Sequence, residues 1–185
     1  MPNWCNNELT IRHPDPAMLE KALAAWNKGE FLQTLIPCPR PLRETQSIGY
    51  ANTNDPETLV MIERQEALEA INIKHYGVPT WYEWCINNWG TKWDIGHRDE
   101  HGDRPEIEDG AIRVNFDSAW SPPVGAYAAL ESMGFEIEAY YYEPGVGFCG
   151  QYQDGNDQVY KTSDPPEHLD KMFAITETNE MWSES

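Results

Sequence analysis

Residues 111–142, AIRVNFDSAWSPPVGAYAALESMGFEIEAYYY, carry the pattern that decides the fold. Ile112, Val114 and Phe116 recur at every second position, which places them on one face of a strand. Ser121-Pro122 supplies a capping residue and a first-turn proline. The helix predicted behind it carries Val124, Tyr127, Ala128 and Leu130 and stops at Gly134. Phe135, Ile137, Ala139 and Tyr141 then alternate with Glu136, Glu138 and Tyr140, a second strand with one apolar face. The stretch is a strand–helix–strand unit.

Upstream, Cys5 to Arg12 reads as a strand, with Cys5, Leu9 and Ile11 on one face. Asp15-Pro16 opens a helix that buries Leu19, Ala22, Leu23 and Trp26 and ends at Gly29. Residues 31–36 are apolar enough to pack, whereas Pro37, Pro39 and Pro41 forbid regular structure behind them. Residues 48–54 read as loop. Asp55-Pro56 repeats the cap signal before a helix to about Lys74, with Leu59, Ile62, Leu68 and Ile71 among its apolar positions. Thr80 and Glu83 form a capping box, with Trp81, Trp84 and Cys85 on one helical face and Gly90 at the end. Lys92 to Ile95 is expected to start a strand, and 96–110 to be a polar excursion. Downstream, Asp154-Gly155 marks a hairpin turn between strands at 146–153 and 158–161. Asp164-Pro165 starts a short helix.

The order is βαββαβ, an α+β, ferredoxin-like antiparallel sheet with helices on one face. The expectation is one domain over 1–176, with a helical insertion at about 30–78, an extra C-terminal hairpin, and a loose acidic tail at 177–185.

Thirty-one acidic residues against thirteen basic ones give a net charge of −18 over 185 residues. Such a chain is a poor match for a phosphate backbone, so direct nucleic-acid binding is not expected. The acids are spread out, which suits solubility, attraction to a basic partner, or imitation of nucleic-acid charge. Cys5, Cys38, Cys85 and Cys149 are scattered, with no C-x-x-C. Met1-Pro2-Asn3-Trp4 shows neither a basic region nor an apolar run, so a cytoplasmic protein with reduced thiols is expected. No apolar stretch has membrane-spanning length.

Motifs for chemistry are weak. Gly145-Val146-Gly147-Phe148-Cys149-Gly150 fits G-x-G-x-x-G, but strand and turn residues follow where a dinucleotide site needs a helix. His97 and His101 have i, i+4 spacing among carboxylates, a weak hint of a metal site, yet Gly96, Gly102 and Pro105 argue for a polar loop. No cofactor is expected, no catalytic residue can be assigned, and an enzyme is unsupported. Arg40 and Arg43 form a small basic spot between prolines.

The richest candidate is Asn88-Trp89-Gly90-Thr91-Lys92-Trp93-Asp94. With Trp4 and Trp120 it is either a structural corner cementing sheet to helices or the wall of a pocket or interface. Asn88, Trp89, Lys92, Trp93, Asp94 and Trp120 are the candidate binding residues. Lys92 could hold an anionic group, or pair with Asp94 or Asp117.

Three motifs, Met1-Pro2-Asn3-Trp4-Cys5-Asn6-Asn7, Trp89-Gly90-Thr91-Lys92-Trp93-Asp94 and Ala119-Trp120-Ser121-Pro122-Pro123, resemble the Api92-like/YubB family of phage and plasmid proteins, over most of residues 1–142. The resemblance implies a ferredoxin-like domain and a mobile-element origin, with no assigned activity or catalytic residues. Charge and resemblance together point to an accessory protein acting in the host cytoplasm. It would bind a host protein with a basic surface, as a counter-defence inhibitor covering a nucleic-acid-binding face. The alternatives are a binder of a nucleotide-like small ligand in a Trp-lined pocket and a metal- or carboxylate-dependent enzyme. Oligomeric state is not readable.

Overall fold

The strand predicted at 5–12 lies at the centre of the sheet, paired on one side with the strand predicted at 111–117 and on the other with that predicted at 135–142. The computed structural model describes residues 3–45, 55–97 and 104–183. Its elements are β1 (Trp4–Arg12), α1 (Pro16–Asn27), α2 (Phe31–Leu35), α3 (Arg40–Arg43), α4 (Pro56–Tyr76), α5 (Trp81–Trp89), β2 (Ile107–Glu108), β3 (Ala111–Ala119), α6 (Val124–Ser132), β4 (Glu136–Glu143), β5 (Phe148–Gln153), β6 (Asn156–Lys161), α7 (Glu167–Phe173) and α8 (Ile175–Ser183).

The sheet order is β2-β3-β1-β4-β5-β6, and every pairing is antiparallel. The first four strands have the ferredoxin-like order, and β5–β6 extends the sheet beyond β4. Register sets the core. Leu9 pairs with Val114 and Ala139, and Ile11 with Ile112 and Ile137, so all six share one face. That face is covered by Leu19, Ala22 and Trp26 of α1 and by Ala126, Tyr127 and Leu130 of α6. Asp15 caps α1 by accepting from the Ala17 N–H at 2.9 Å, as its position predicts. Asp154 and Gly155, both at positive φ (51° and 72°), make the two-residue turn of the β5–β6 hairpin.

The structure corrects several expectations. Lys92 to Ile95 forms no strand; the second strand is the two-residue β2. The Asp94 carboxylate turns this segment toward α2, and the His97 N–H donates to Trp26 O at 2.8 Å, so α1 and α2 hold it away from the sheet. Gly96 makes this possible: a Cβ there would lie 2.8 Å from Trp26 O. Helices also cover both faces of the sheet. Tyr142 and Cys149 point away from α1 and α6 and bury Leu169 of α7 and Ile175 of α8. That docking makes 175–183 a helix where a loose tail is expected.

Between Pro39 and Thr45 the prolines do not exclude helix. Pro41 sits in the first turn of α3, where its missing N–H costs nothing, and Leu42 is fully buried. Ser121-Pro122 does not cap α6, which starts at Val124 after Pro123. Helix α4 runs 21 residues from its Asp55 cap to Gly77, yet Leu59 and Ile71 are exposed and only Asn72 is buried. The loop expected at 48–54 lies outside the described residues.

Candidate functional site: an aromatic surface cluster around Lys92

Helix α5 ends at Gly90 (φ +81), where the chain passes hard against the start of α6. A Cβ on Gly90 would lie 3.1 Å from the Val124 and Gly125 nitrogens, and one on Gly125 would lie 2.9 Å from Asn88 O. Two glycines thus let backbone meet backbone. Ser121 Oγ, released from capping, donates to Gly90 O at 2.6 Å, and the buried Thr91 hydroxyl donates to Ala119 O at 3.1 Å. These bonds clamp residues 90–93 beside the end of β3.

Four aromatic side chains converge there. Trp4 comes from the start of β1, Tyr82 from the outer side of α5, Trp93 from the connecting segment and Trp120 from the end of β3. The Lys92 Nζ lies 4.8 Å from the Trp93 ring centroid, 5.3 Å from Trp120 and 5.6 Å from Tyr82. Trp4 packs on Trp93 at 5.8 Å, and Tyr82 meets Trp120 edge to face at 6.2 Å. Trp4 and Trp120 remain 40% and 38% exposed. Trp120 is held at φ +68, a conformation unfavourable for a bulky side chain, while its N–H donates to Asn3 O at 2.8 Å.

The predicted residues divide. Lys92, Trp93 and Trp120 come together at the surface. Trp89 is buried, and its Nε1 donates to Ile36 O at 2.9 Å, anchoring the segment after α2. Asn88 donates to Trp84 O within its own helix. Asp94 accepts from Leu32 N at 2.6 Å, Gln33 N at 3.0 Å and Ile95 N at 2.8 Å, capping α2 from across the chain. Lys92 pairs with neither Asp94 nor Asp117 among the described residues; Asp117 accepts from Asn6 Nδ2 at 2.6 Å. Tyr82 is missed by a reading that follows only the apolar face of α5. Its signal is that it lies off the Trp81, Trp84, Cys85 stripe.

Two cavities flank the cluster. One, of about 630 Å³, lies along β3 and is lined by Trp4, Trp26, His97, Arg104 and Arg113 among others. The His97 Nε2 there is buried with no hydrogen-bond partner among the described residues. The other, of about 410 Å³, runs from Lys92 and Trp93 to Arg43, Cys38 and Cys85. His101 lies outside the described residues, and no cluster of three or more His, Cys, Asp or Glu suited to a metal occurs among them. Residues 145–150 form the β4–β5 turn and the start of β5. The Glu143 carboxylate accepts the Gly145 and Val146 N–H groups at 2.9 and 2.5 Å, and no helix follows. All four cysteines are unbridged and buried, and burial pushes each thiol pKa up. No described helix is long and apolar enough to cross a membrane.

Among known proteins, the family described as "Ferredoxin-like domain in Api92-like protein" matches residues 88–183. The crystal structure of protein Api92 from Yersinia pseudotuberculosis resembles the chain at 13% identity and a TM-score of 0.42, covering 90% of this chain and 100% of that one. No curated protein matches. The family match takes in β2 through α8 together with Lys92, Trp93 and Trp120 of the cluster, more than half of the sequence, and the chain belongs to the Api92-like family through its ferredoxin-like domain.

Proposed function

We propose that this chain is an accessory protein of phage or plasmid origin that acts by binding a host protein in the host cytoplasm. Its contact surface is the aromatic cluster around Lys92. The observation that carries this reading is the exposure of Trp4 and Trp120, two indoles clustered at one end of the sheet, one on a strained backbone. Indoles so placed act as interface anchors, each contributing roughly 1.5–3 kcal/mol when a partner completes their burial. A net charge of −18 selects a basic partner, such as the nucleic-acid-binding face of a defence protein. Affinity capture from host lysate with wild type and with a Trp4→Ala/Trp120→Ala variant tests it. Basic, nucleic-acid-associated proteins should be enriched by the wild type and lost by the variant. Equal recovery by both would remove the reading.

A second reading is favoured by the cavity along β3. Trp4, Trp26, Arg104 and Arg113 line about 630 Å³, a volume suited to a small ligand carrying a flat ring and an anionic group. Thermal shifts with a nucleotide set, and their loss in Arg113→Gln, would support it; flat responses throughout would end it.

A further inference from the structure

The position of Lys92 is unusual for this chain. Acids outnumber bases 31 to 13, yet the Lys92 ammonium makes no ion pair among the described residues and sits instead among three rings. Carboxylates on the surrounding elements accept from other groups. Asp94 caps α2, Asp117 accepts from Asn6, and Glu83 accepts from the Thr80 hydroxyl. Ring faces are electron-rich, so three of them around one point attract a cation without neutralising it. Trp120 is held at φ +68, with its N–H donating to Asn3 O. Its conformation brings its indole to 6.2 Å from the Tyr82 ring, and Trp93 closes a third side.

We infer that Tyr82, Trp93 and Trp120 form a cation-accepting cage that Lys92 fills in the free protein, and that an arginine or lysine side chain of a basic partner replaces it on binding. This rests on the protein-binding reading above and names the partner chemistry at its centre. Arginine is the better occupant, because its flat, weakly hydrated guanidinium stacks on indole and phenol faces while a displaced ammonium rehydrates readily. Lys92 is then an internal competitor. It shields the rings from water and raises the threshold for weakly basic surfaces, while the overall acidity draws strongly basic ones in.

Calorimetry with a hexa-arginine peptide tests this on the full-length protein, using wild type, Lys92→Ala, the exposed-lysine control Lys21→Ala, and Lys92→Ala/Trp120→Leu. Thermal melts establish that each is folded. Removing the competitor should tighten binding about tenfold over wild type, as expected for one vacated cation–π site. Lys21→Ala changes net charge equally and should shift affinity less than about twofold. The added Trp120→Leu substitution should abolish the gain. Lys92→Ala binding no tighter than the Lys21→Ala control, or a gain that survives Trp120→Leu, would overturn the cage. If the peptide result fails while lysate capture still depends on Trp4 and Trp120, the cage alone is refuted. Loss of that Trp dependence refutes the surface itself.

Discussion

Replacing Asp94 with alanine removes one carboxylate that accepts from three backbone N–H groups, two of them in the first turn of α2. Leu32 is fully buried, so water cannot readily take over its donor. Losing a cap costs about 1 kcal/mol, and a buried donor left without a partner adds about 1–3 kcal/mol, for a total of about 2–4 kcal/mol. For a chain of this size that is a fall in Tm of about 5–15 °C. Asp94→Asn keeps one carbonyl acceptor but no charge and should lose about half as much. Calorimetric melts and urea midpoints give the magnitudes, and amide exchange should quicken first at Leu32 and Gln33. If Asp94→Ala melts within about 2 °C of wild type, the assignment of Asp94 to a capping role is wrong.

Other outcomes follow from buried contacts. Gly150→Ala places a Cβ against Tyr141 Oη and 2.5 Å from Gln158 O, with backbone on one side; destabilisation of about 2–3 kcal/mol is expected by urea melts. Burial, before any hydrogen bond, raises the hydroxyl pKa values of Tyr127, Tyr141 and Tyr152; Tyr141 also donates to Asp157 at 2.5 Å and Tyr152 to Glu131 at 2.7 Å. Because the folded values lie above the unfolded one near ~10, the stability they carry is complete below that pH and lost as pH climbs toward the folded values. Absorbance at the tyrosinate band should show these three silent until the protein unfolds; reversible titration of all nine tyrosines near pH ~10 in the folded state would contradict it. The four buried thiols, all with raised pKa values, should resist a disulfide reagent in the native state and react together on unfolding.

Much of the fold is legible because its signals are local. Alternation at Ile112, Val114 and Phe116, and at Ile137, Ala139 and Tyr141, places two strands, and their register follows from which faces must be buried. Asp15, Asp55, Thr80 and Gly90 work as caps where their types predict. The misread places are those where a distant group competes for a local one. Ser121 looks like a helix cap, but its hydroxyl is taken by Gly90, 31 positions away. Lys92 to Ile95 looks like a strand, but Asp94 is drawn to α2 across 62 positions. Tyr142 and Cys149 read as strand residues, yet the core they form with Leu169 and Ile175 on the far face requires the C-terminal helices to fold back.

The sequence by itself determined the central strands, the capped helices, the ferredoxin-like class, the acidity and the existence of a tryptophan-rich corner, because each depends on periodicity or composition within a short window. Only the tertiary structure decided how that corner divides. Indole burial depends on which elements meet. Trp89 turns inward to Ile36, whereas Trp4, Trp93 and Trp120 are gathered with Tyr82 by contacts between α5, α6 and the ends of two strands. Three rings converge on one ammonium from positions 82, 93 and 120, and no spacing along the chain encodes that meeting.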